Sequence, residues 1–133
     1  MFRGIIILTA LLCSGICFAI NCGGNVMKIP EMNYCAHAAY IDADQKLKTI
    51  YNHILRKYNN YPSARKNTIK AEKMWEKFRD AQVEMKYPPL KKGHIYGSMN
   101  YVFKYGYLEC LTKQRIQQLK EILSDNTVDE VNI

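Results

Sequence analysis

"EMNYCAHAAYIDADQKLKTIYNHILRKY", Glu31 to Tyr58, decides the fold of this 133-residue chain. Its apolar residues recur at Met32, Cys35, Ala36, Ala39, Tyr40, Ala43, Leu47, Ile50, Tyr51, Ile54, Leu55 and Tyr58. Three-and-four spacing sustained over so many turns predicts one long amphipathic helix. The same geometry decides whether Cys35, His37, Asp42 and Asp44 form a chemical cluster. Side chains two positions apart on a helix point away from each other. Cys35 and His37 therefore make no nucleophile–base pair, and Asp42 and Asp44 make no general acid–base pair. The stretch is a helix face, not an active site.

Working outward, "INCGGNVMKIP" (20–30) is an irregular lead-in, with Pro30 suited to the first turn of a helix. The asparagines and Pro62 of "NNYPS" (59–63) end the first helix, and Ser63 is placed to cap a second. The apolar face of that second helix reads Ala71, Met74, Trp75, Phe78, Ala81, Gln82 and Met85. Its opposite side, Lys73, Glu76, Lys77, Asp80 and Glu84, reads as a solvated face with i,i+4 ion pairs. "YPPLKKGHIYGS" (87–98) breaks the helix with two prolines and two glycines. Ser98 can cap a third helix whose face reads Tyr101, Val102, Tyr105, Leu108, Thr112, Ile116, Leu119 and Leu123, with Gly106 a point for a bend. No run alternates with period two for long enough to be a strand. The expected fold is all-α, a small antiparallel bundle of three main helices.

The ends are different in kind. Arg3 precedes the apolar run "GIIILTALLCSGIC" (4–17), which is too short and poorly flanked for a membrane span. Cys17-Phe18-Ala19 then gives small residues around a cut after Ala19, so residues 1–19 read as a signal peptide. A lipoprotein attachment at Cys13 or Cys17 is disfavoured by Leu12 and Ile16, where a small residue belongs. On this division residues 20–123 are the helical domain and 124–133 an acidic, disordered tail carrying Asp125, Asp129 and Glu130. The net charge of +7 falls only to +6 when Arg3 leaves. In an exported protein such a basic body points to an anionic envelope surface or an acidic protein, not to nucleic acid. Cys22, Cys35 and Cys110 remain as disulfide candidates, with three pairings open.

Chemistry has little to stand on. His37, His53 and His94 show no metal-ligand spacing, and there is no Gly-x-Ser-x-Gly elbow or phosphate-binding loop. No catalytic residue, metal or cofactor is expected. Asp44, at the edge of the apolar stripe, needs partners. Arg79 and Arg115 are each placed to reach it across the bundle, a structural polar network. In "YVFKYGY" (101–107), Tyr101 and Tyr105 belong to the core side, whereas Phe103 and Tyr107 do not. With Lys91, Lys92, His94 and Tyr96 of the preceding loop they are the candidate partner-binding residues.

In order along the chain, "EMNYCAHAAYIDADQKLKTIY", "AEKMWEKFRDAQ", Gly97-Ser98 and "CLTKQRIQQL" resemble the LprI-like domain, named for a mycobacterial lysozyme inhibitor. The likeness runs from about Cys22 to Leu123. It is carried by Met32-Asn33, Cys35, Asp44 with Leu47 and Tyr51, Trp75 with Arg79-Asp80, and Cys110 with Thr112 and Arg115. It implies an exported helical protein with an envelope role and, for the namesake, lysozyme inhibition. Two positions depart from the family pattern. Lys48 stands where an asparagine is usual, and Val83 where a cysteine is usual. The missing cysteine accounts for the odd count. Cys35 and Val83 would lie at similar height in a hairpin of the first two helices, so this reading leaves Cys35 the spare thiol and makes Cys22–Cys110 the bond.

The function expected is an exported, non-enzymatic binding protein, periplasmic or secreted, that binds or inhibits lysozyme or another cell-wall hydrolase. The alternative is an immunity-type or structural envelope protein with no lysozyme target. A strongly basic inhibitor is steered away from a basic lysozyme, so an acidic partner fits the charge better.

Overall fold

The computed structural model describes residues 27–88 and 99–124. Three helices account for nearly all of them: α1 (Ile29–Lys57), α2 (Pro62–Lys86) and α3 (Asn100–Ser124). There is no strand among the described residues. α1 starts where expected, with Pro30 in its first turn and the Lys28 backbone N–H donating to the Glu31 carboxylate at 3.0 Å. α2 starts at Pro62, so Ser63 lies inside the helix and does not cap it. A proline's missing N–H costs nothing at that position. α3 runs through Gly106 without interruption. Ser98 lies outside the described residues.

Sequential helices are antiparallel, which makes α1 and α3 parallel neighbours. Their common direction shows in two contacts: His37 meets Tyr105 edge-on at 4.7 Å, and the Lys57 ammonium donates to the Leu123 carbonyl at 3.4 Å. The α1–α3 interface is the principal one. Ala36, Ala43, Leu47, Ile54 and Tyr58 bury against Val102, Leu108, Thr112, Ile116 and Leu119, as the three-and-four spacing requires. Leu47, Ile54, Tyr58, Ile116 and Leu119 form the tightest cluster, with Trp75 and Tyr61 against its flank. Tyr101, assigned to the core by spacing, is instead exposed. It sits in the first turn of α3, next to fully buried Val102.

α2 is attached differently, and here the expected face is overturned. Its inward residues are Thr68, Glu72, Trp75, Arg79, Gln82 and Val83, whereas Met74, Phe78, Ala81 and Met85 face out. The helix is turned by about 90° from the setting its apolar residues predict. Charge holds it there. Arg115 donates from Nε (3.0 Å) and Nη2 (2.8 Å) to Glu72 Oε2, and both side chains are largely buried. Trp75 receives the Arg115 guanidinium at 5.6 Å and that of Arg79 at 5.2 Å from its ring centre. At the hairpin, Arg65 Nη1 donates to the Leu55 carbonyl at 2.9 Å, satisfying one of the last acceptors of α1.

Burial pushes the Tyr40 phenol above its ordinary value, and burial followed by the nearby Glu72 does the same at Tyr51. The folded state thus holds both protons more tightly than the unfolded chain does. Their contribution is complete below about pH 10, the ordinary tyrosine value, and is lost as pH rises through the raised ones. Denaturant titrations at about pH 8 and about pH 10.5 should show a smaller alkaline loss in Tyr40→Phe than in wild type. Leu119→Ala should cost about 2–4 kcal/mol by the same measurement. Glu72→Gln should cost roughly 3 kcal/mol, because it leaves a buried guanidinium uncompensated. Glu76→Gln, on the exposed side, should stay within about 0.5 kcal/mol of wild type.

Candidate functional site

The network predicted around Asp44 divides into two. Asp44 on α1 holds Lys48 at 2.7 Å, one turn on, and meets Arg79 of α2 at the longer distance of 3.9 Å. Arg79 makes its closest contact with Asp80, at 2.8 Å. Burial opposes the Arg79 charge, but the Asp80 hydrogen bond and the nearby Tyr40, Asp80 and Asp44 outweigh it and raise its pKa. The hydrogen bond and charge of Asp44 likewise raise the Lys48 pKa. Arg115 does not reach Asp44. Its place along α3 sets it beside the middle of α2, where Glu72 takes it. Glu72 had no role in the spacing argument, and an acid one turn from Trp75 on the inward side was the available signal. These groups tie helices together.

A hollow of about 380 Å³ opens near the far end, lined by Tyr58, Ala64, Thr68, Ala71, Arg115, Leu119 and Ile122. Its only charged group is already engaged by Glu72. Among the described residues no group of His, Cys, Asp and Glu is arranged to hold a metal. None of the described helices is long and apolar enough to cross a membrane.

The other end of the bundle is aromatic. The N-terminal turns of α1 and α3 lie side by side there, with the C-terminus of α2. Tyr105 packs between His37 and Tyr40, the latter at 6.1 Å. Tyr107 lies under α2: its hydroxyl donates to Gln82 Oε1 at 3.2 Å, Tyr87 meets it edge-on at 5.9 Å, and the Lys86 ammonium stands 4.1 Å from its ring centre. Tyr107 is thus half-buried, and of the two rings assigned to the surface Phe103 is the exposed one. Tyr34 is 77 % exposed and Tyr101 60 % at this end, and Phe103 is exposed to a lesser degree. Spacing missed Tyr34, whose neighbours in sequence belong to the buried stripe. The side-chain oxygens of Asn33 and Asn100 are buried at the same end without a hydrogen-bond partner. Lys91, Lys92, His94 and Tyr96 lie outside the described residues, as does Cys22. Cys35 and Cys110 are half-buried on α1 and α3.

Three comparisons bear on identity. No curated protein matches the chain, and no solved structure does. A family model does, over residues 21–119, a span that takes in all three helices almost to the end of α3. The positions that carried the resemblance, Asp44, Trp75, Arg79 and Arg115, are those that join the helices. The chain belongs to the family described as lysozyme inhibitor LprI.

Proposed function

We propose that this protein is an exported, non-enzymatic helical binder that blocks a cell-wall hydrolase. The observation that carries the reading is the family match across the folded domain. The aromatic end supplies a surface suited to it. Tyr34, Tyr101 and Phe103 are each exposed there, and aromatic rings are the usual anchors of protein interfaces. Lys91, Lys92, His94, Tyr96 and Tyr107 belong to the same proposed contact region.

A disulfide drawn from Cys22, Cys35 and Cys110 fits export, since such bonds persist in oxidising compartments. The apolar leader 4–17 and the cut after Ala19 complete this reading. The excess of positive charge favours hydrolases with an acidic surface over strongly basic ones.

The test is a cell-wall lysis assay with purified protein added to a panel of basic and acidic hydrolases. Saturable slowing of at least one enzyme is expected. Tyr101→Ala with Phe103→Ala should raise the concentration needed by about tenfold or more, with the helical spectrum unchanged. No slowing of any enzyme at excess protein would remove the inhibitor reading.

A further inference from the structure

The outer face of α2 is the one the packing leaves over. Because Glu72, Trp75 and Arg79 turn inward, Met74, Phe78, Ala81 and Met85 turn outward at the i, i+4, i+7, i+11 spacing of a single helix face. They run along about 16 Å of the helix. Met74 is 58 % exposed, Phe78 57 % and Met85 74 %, which is far more than stray surface hydrophobics need. Lys66, Lys70, Lys73 and Lys77 repeat the same spacing, displaced by about 80° around the axis and about two turns toward the helix N-terminus, and exposed Glu84 continues their row beyond Lys77. All four lysines are exposed, and none is in an ion pair among the described residues. The i,i+4 pairs expected of Lys73 and Lys77 do not form. Asp80 is taken up by Arg79.

We infer that this face docks the protein on an anionic lipid surface. A basic row beside an apolar row is the pattern of a helix lying in a membrane interface: lysine stems spread toward phosphate headgroups while the apolar side chains enter the acyl boundary. The face is the convex side of one helix, which suits a planar partner. A second copy is the weaker fit, because each chain carries +7 and two such chains repel on approach. An acidic protein would attract the lysines, but this face offers none of the Trp, Tyr or Arg that anchor protein interfaces, Trp75 being turned inward. The whole chain carries +7, so no long-range repulsion opposes approach to a negative surface. The inference is separate from hydrolase binding, which is assigned to the aromatic end.

The test is co-sedimentation of the protein, recovered from the envelope after export, with phosphatidylglycerol or phosphatidylcholine vesicles. It should bind the first and not the second, and binding should fall steeply between about 20 and about 300 mM salt. Replacing Lys66, Lys70, Lys73 and Lys77 together with Gln should weaken binding about a hundredfold. Met74→Ser with Phe78→Ser should weaken it at low salt as well, and both variants should keep the wild-type far-ultraviolet spectrum. Equal binding to phosphatidylcholine, no binding to phosphatidylglycerol at low salt, or variants that bind like wild type would each overturn the inference. Lysine-dependent capture on polyglutamate without vesicle binding would reassign the face to an acidic protein. Self-association abolished by the same variants, again without vesicle binding, would reassign it to a second copy. The lysis assay, with its Tyr101 and Phe103 variants, reads the other end and stands or falls apart from these results.

Discussion

The ion pair between Arg115 and Glu72, with Trp75 set between two guanidinium groups, determines how the second helix sits. α1 and α3 need no such device, since their apolar stripes face each other and close. α2 has to choose between burying its methionines and phenylalanine or burying its charges, and it buries the charges. A buried ion pair adds little net stability over an apolar replacement, because desolvation offsets most of the attraction. Its effect is angular. One carboxylate oxygen accepting two guanidinium N–H groups fixes the rotation of α2 far more narrowly than a greasy contact does.

That choice explains which parts of the fold were legible in the amino-acid order. The faces of α1 and α3 could be read by counting, because each buries its apolar residues. Ala36, Ala43, Leu47, Ile54 and Leu119 all fall where the spacing puts them. The face of α2 could not. Counting apolar positions selects Met74 and Phe78, and nothing local reveals that Glu72 and Arg79 have partners on other helices. Arg115 was recognised as a residue that crosses the bundle, but its partner was misassigned. A carboxylate on the polar side of one's own helix plot is easily taken for a solvated group. The aromatic end was legible in part: Phe103 was placed outside correctly, while Tyr101 and Tyr107 exchanged roles. Tyr107 is covered by Gln82, Lys86 and Tyr87, contacts from another part of the chain that counting along α3 cannot reveal.

The family's recurring residues gain a physical reading from the same geometry. In this chain Asp44, Trp75, Arg79 and Arg115 sit along the seam between the helices, Arg115 also edging the hollow, and they serve the architecture. The outer surface displays other residues. Here the display is lopsided: rings at one end of the bundle, and a row of lysines beside methionine and phenylalanine along one flank.

The parallel pairing of the first and last helices also governs when the molecule can become compact. Lys57 and the Leu123 carbonyl are 66 residues apart, and the central cluster draws from the same two distant segments. Contacts of such long loop span are slow to form, because chain closure must come first. A nascent chain has no mate for its initial helix until nearly all of it has been made. Compaction of the α1–α3 core therefore waits on the last helix to be made.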